Sequence, residues 1–181
     1  MSVSRCRAAL SVLLLCAAVA VGGESAPIEP TALLRKLEGS DGRHVVEKLN
    51  DNQWNFILKN IETGEKRWLD VAVSLHRRTD AGRSEMVALA VGNALVKNPS
   101  GVLHSAIGEI SVESVCGYPD MSDHRTDSQQ KVVGYLDARI QAAGKVDDKE
   151  VAGQRDKCLE TLQSTRRQVM SANGPFGQRP R

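Results

Sequence analysis

The stretch WNFILKNIETGEKRWLDVAVSL, residues 54–75, decides the fold class. Trp54, Ile57, Leu58 and Ile61 recur at i, i+3, i+4 and i+7, the period of one face of an α-helix. Trp68, Val71, Ala72 and Leu75 repeat that spacing. Between them, ETGEK places Gly64 where a helix stops on a left-handed residue, so the two phrases predict a helical hairpin. Asp51 or Asn52 is positioned to cap the first helix. The chain is only 3% aromatic and holds two tryptophans. Each heads an apolar stripe, so both are expected in the core, where an indole supplies much of the apolar area. A sugar-stacking platform, as in a saccharide-binding module, is the competing use.

The helical period continues on both sides. Residues 30–49 hold two weaker pieces, TALLRKL and RHVVEKL, separated by GSDG. A helix is predicted from about Ser84 to Lys97, with Met86, Val87, Ala90 and Ala94 inward. NPSGVL starts the next: Asn98 caps it, and Pro99 fits a first turn that needs no backbone donor. Val102, Leu103 and Ile107 face in. A short segment from about Ser111 ends at CGYP. The polar loop 117–127 then separates these helices from a longer hairpin. Its first helix runs from about Thr126 to Ala143, with Val132, Tyr135, Leu136 and Ile140 inward. GKVDD turns the chain, with Asp147 or Asp148 as cap. The last helix runs from about Asp148 to Arg166 with Val151, Cys158, Leu159 and Leu162 on one stripe. No alternating strand pattern stands out. The predicted fold is all-α: a compact array of short helices in solenoid-like hairpins, then a longer C-terminal hairpin.

The N-terminus reads as an address. Arg5 and Arg7 precede a fourteen-residue apolar run, residues 8–21, which GGESAP breaks. A basic end, an apolar centre and a small-residue exit make a secretory signal peptide over 1–23. Cleavage fits after Gly22 or Gly23 better than after Ala26, which Pro27 follows. The run is shorter than the roughly 20 residues of a membrane span. LLLC, 13–16, resembles a lipoprotein cleavage box, but Leu15 is too large for the position before the cysteine. The expected product is a periplasmic or secreted single domain over 24–164. Loss of Arg5 and Arg7 leaves 22 basic against 22 acidic residues. Arg166, Arg167, Arg179 and Arg181 lie in a segment without acids, 165–181, expected to be a disordered basic tail.

Export also decides the cysteines. Cys6 and Cys16 leave with the signal, and an even pair in an oxidising compartment reads as one disulfide, Cys116–Cys158. A redox pair would sit closer in sequence, as C-x-x-C.

The ordered set WNFILKNIETGEKRWLDVAVSL, NALVKNPSGVL, VCGYP and VAGQRDKCLETL resembles a family of small, uncharacterised secreted proteins of Gram-negative bacteria. The resemblance spans about residues 50–163. It implies a periplasmic or secreted helical protein with one cysteine pair, and no reaction.

Motifs that carry chemistry are few. His44, His76, His104 and His124 lie in separate segments without zinc-ligand spacing. No serine sits in a G-x-S-x-G elbow, and no glycine pattern cradles phosphate. No catalytic, cofactor or metal-ligand set is therefore assigned. No basic face interleaved with aromatics points to nucleic acid. HRRTDAGRSE, 76–85, is the most charged surface connection, and His76, Arg77, Arg78 and Arg83 form its candidate partner-contact loop. The expectation is a non-enzymatic interaction or scaffold protein whose partner is another envelope protein. An envelope hydrolase with a spatially assembled site is the alternative, alongside the saccharide module.

Overall fold

A computed structural model describes residues 28–105, 110–117 and 127–171. The expected signal peptide and its cleavage site, Ile107, His124, most of the 117–127 loop and the tail beyond Ser171 lie outside the described residues.

Nine α-helices and no strands make up the described residues. The order is α1 (Pro30–Glu38), α2 (Gly42–Glu47), α3 (Asp51–Ile61), α4 (Lys66–His76), α5 (Ala81–Ala94), α6 (Pro99–Ser105), α7 (Val112–Cys116), α8 (Gln129–Gly144) and α9 (Ala152–Met170). A single 3₁₀ turn, Lys149–Val151, leads into α9. The predicted hairpin is α3–α4, with Gly64 at φ 74° in the turn. A Cβ there would carry a left-handed penalty, which glycine lacks. Both tryptophans are 5% exposed.

α4 and α5 form the centre. α4 packs on α1, α3, α5 and α6, and α5 on α3, α4, α6 and α7. α5 is enclosed on most of its circumference, by way of Val87, Ala88, Ala90, Val91, Gly92 and Ala94. Its small residues let neighbouring backbones approach closely. α8 and α9 form the long hairpin, which reaches the rest mainly through α7 and α6. The Cys116–Cys158 disulfide joins α7 to α9, with Cα atoms 5.4 Å apart. Beside it Lys157 pairs with Glu113 at 2.5 Å, again α9 to α7.

The structure corrects several boundaries. Asn50, not Asp51 or Asn52, caps α3: its side chain accepts from Gln53 N–H, and Gln53 reaches back to the Asn50 N–H. This reciprocal pair satisfies two donors at once, which a later cap would not. α5 begins at Ala81 rather than Ser84 because Asp80 caps it, accepting from Arg83 N–H at 2.9 Å. Most of 76–85 is therefore helix, and only residues 77–80 connect. Met86 is 41% exposed, off the inward stripe. The last helix runs beyond Arg166 to Met170, taking in the first part of the expected tail. Thr165 and Val169 extend the Cys158–Leu162 stripe and are buried. Arg166 pairs with Asp137 of α8 at 2.5 Å, and Gln129 donates to the Val169 carbonyl at 2.7 Å. Packing against α8 thus overrides a sequence that looks basic and polar.

Candidate functional site

The candidate partner-contact residues divide in the structure. Arg78 and Arg83 line a surface cleft of about 290 Å³ between the end of α2 and the α4–α5 corner. His76, the last residue of α4, and Arg77 do not line it. Thr79 and Asp80 supply one wall, and Val46 and Glu47 the opposite one. The third basic residue is Arg43 of α2, brought there by folding alone.

The three guanidinium groups are held differently. Arg78 is half-buried, and its Nη1 donates to the Ser74 carbonyl at 3.0 Å and to Ser74 Oγ at 3.1 Å. Its stem crosses Gly42. A Cβ on Gly42 would collide with the Leu37 carbonyl and lie 2.5 Å from Arg78 Nε. Arg83 lies over the Trp54 ring, 5.2 Å from its centroid, and its Nη1 reaches the Val46 carbonyl at 3.4 Å. An arginine over an indole face is attracted by the ring's quadrupole, and the ring fixes its position. Arg43 is exposed, without a hydrogen bond or ion pair among the described residues.

Two carboxylates share the cleft. Asp80 is committed to the α5 cap, and Glu47 lies 3.5 Å from His44 Nδ1. Among the described residues neither pairs with Arg43, Arg78 or Arg83. The cleft is thus a basic recess whose three guanidinium groups have no carboxylate partner among the described residues. Neither Arg43 nor Gly42 stands out in the sequence. GSDG marks a turn, but nothing local signals that its last glycine carries an arginine from the α4–α5 connection.

A second cleft, about 340 Å³, lies between α4 and α6 and is lined by Lys66, Leu69, Asp70, Asn98, Ser100 and His104, among others. His104 Nδ1 meets the Ser100 carbonyl at 3.0 Å. Its Nε2 lies 3.5 Å from Glu150 and 3.8 Å from Asp148. Ser100 Oγ donates to Asp148 at 3.4 Å. The hydrogen bond to the Ser100 carbonyl is the main cause of a raised His104 pKa, which burial opposes and the two acids reinforce. A serine, a histidine and an aspartate meet here, as a hydrolase would need. Both ring nitrogens face acceptors, however, and neither faces Ser100 Oγ, so this imidazole is arranged as a cation and not as the serine's base.

No group of three or more His, Cys, Asp or Glu is placed to hold a metal ion among the described residues. No helix there is long and apolar enough to cross a membrane. Both indoles are buried, so neither presents a face for a sugar ring. No protein-family model, no curated protein and no solved structure matches the chain.

Proposed function

We propose that this is a non-enzymatic interaction protein of the bacterial periplasm or exterior, and that the arginine cleft is its contact surface. The carrying observation is the convergence of Arg43, Arg78 and Arg83 from α2, the α4–α5 connection and α5. A folded core gains little from gathering like charges at one corner. A partner with complementary charge gains a great deal in encounter rate and register. The signal-type N-terminus and the disulfide favour an oxidising compartment outside the cytoplasm. The resemblance to small secreted Gram-negative proteins points the same way.

Affinity capture from an envelope extract tests the reading. Parent protein should retain a stoichiometric partner that Arg43→Glu loses, while both melt alike, because Arg43 is exposed. Equal capture by parent and variant would remove the cleft from the contact.

A further inference from the structure

Resting on the cleft as contact surface, we propose that its ligand is an acidic segment of a protein, held through a carboxylate side chain by Arg43 and Arg78, with Arg83 beside them.

Size comes first. The recess of about 290 Å³ falls just below the range of roughly 300–1,000 Å³ for sites that enclose whole small molecules. It suits one protruding side chain of a larger partner. Val46 offers that side chain an apolar wall for its methylenes.

Preorganisation comes second. Arg78 is fixed before any ligand arrives, through Ser74 and the close crossing of Gly42. Arg83 is fixed on Trp54. Ordering a free arginine costs side-chain entropy on binding, and two of these three have already lost it in folding. The planar fork of a guanidinium matches the two oxygens of a carboxylate, so paired N–H donors recognise shape as well as charge. Arg43, exposed at the rim, has no internal partner among the described residues and is free to close over the ligand.

Charge decides between anions. Three arginines stand against Glu47 and Asp80, an excess of one positive charge. That balance suits a singly charged carboxylate. A phosphate group carrying about −1.5 to −2 would face stronger repulsion from Glu47 and Asp80. The exposed Glu47 is an acceptor for a backbone N–H flanking an acidic side chain, which inorganic phosphate lacks.

Titration of purified protein at low salt, followed by NMR of arginine Nε–H and backbone amide signals, tests the assignment. The probes are an acetylated, amidated Gly-Glu-Gly peptide, its glutamine counterpart and inorganic phosphate. The glutamate peptide should shift Arg78, Arg83 and the amides of residues 78–83, and the glutamine peptide should not. Arg43→Gln should weaken the glutamate peptide roughly tenfold, the scale of a hydrogen bond to a charged group. Equal shifts from both peptides would overturn the role of charge. Phosphate displacing the peptide at equal or lower concentration would overturn the acidic segment in favour of a phosphate anion. Either result leaves the contact surface standing, and only unchanged partner capture by Arg43→Glu removes that.

Discussion

Arg78 and Arg139 are both laid against a glycine, one at a surface cleft and the other in the core, and their donors end in opposite situations. Arg78 crosses Gly42 with one nitrogen tied to Ser74, and the residue lines the cleft. Arg139 of α8 is 2% exposed and lies against Gly92 of α5. It donates to the Val115 carbonyl of α7, sits 5.1 Å from the centroid of the Tyr135 ring, and leaves Nε without an acceptor. Burial lowers its pKa, with Tyr135 opposing. Among the described residues no carboxylate joins it. A buried cation held by a carbonyl and an aromatic face is an expensive way to dock a helix. What it provides is position, because it ties α8 to α7 one residue before Cys116. The same side chain thus serves as an internal strut in one region and as an open fork in the other. The difference lies in whether water still reaches the guanidinium.

The largest expected effect sits under Arg83, beside the open fork. Trp54→Ala should cost roughly 3–5 kcal/mol, the range for truncating a buried aromatic. It also removes the ring that supports Arg83. Urea melts would measure it, and a variant melting like the parent would break the claim that the cleft is built on the core.

Next comes the strut's side. The Cys116–Cys158 bond spans 42 positions. By chain entropy, opening such a loop costs about 4 kcal/mol. Reduction should release α8 and α9 first, because their docking rests on α7, on one apolar stripe and on the bridge. Native-state hydrogen exchange with reductant should show protection lost mainly across 129–170 and retained in α3–α5. Uniform loss would show that the two regions unfold as one.

The glycines separate the regions more finely. A Cβ at Gly92 would lie 2.6 Å from the Val115 carbonyl oxygen and 2.9 Å from Arg139 Nη2. Gly92→Ala should therefore cost about 1–3 kcal/mol through overpacking, with acidic-peptide binding unchanged. Gly42→Ala meets a similar collision, and it should weaken peptide binding as well because Arg78 must move. If both variants lose only stability, or both lose binding, strut and fork are not distinct.

The helices were legible because burial repeats at 3.6 residues. Trp54, Ile57 and Ile61, then Trp68, Val71, Ala72 and Leu75, are buried as their spacing foretold. Asn98 and Pro99 start α6 as composition suggests. Helix ends were less legible where a side chain acts across a turn, as with Asn50 and Gln53. The extension of α9 is not legible because Arg166 and Arg167 look like tail. Their helix is retained by Thr165 and Val169 and by an acid on another helix. The cleft was half visible. Arg78 and Arg83 stood in a charged run, whereas Arg43 lies 35 positions before Arg78 and joins them only in space. Arg139 gave no signal, since an arginine on an apolar stripe reads as an interruption.

The smallest effect lies at the joint between the two regions. His104 of α6 faces Asp148 and Glu150 at the α8–α9 turn, while Lys66 and Asp70 of α4 line the same cleft. The Ser100 carbonyl, then the two acids, raise its pKa above the ordinary 6.5. A histidine raised in the folded state contributes stability that is fully present below its unfolded pKa. That contribution is lost as pH rises through the folded value, so the loss begins just above about 6.5. With the side chain 41% exposed, solvent keeps the contribution small. Urea melts at pH 6 and pH 8.5 should show the parent losing more stability than His104→Gln, which keeps an N–H donor without the titration. NMR titration of the ring should place its midpoint above 6.5. A midpoint at or below that value, or equal losses in parent and variant, would show that the joint carries no charge-dependent grip on the hairpin.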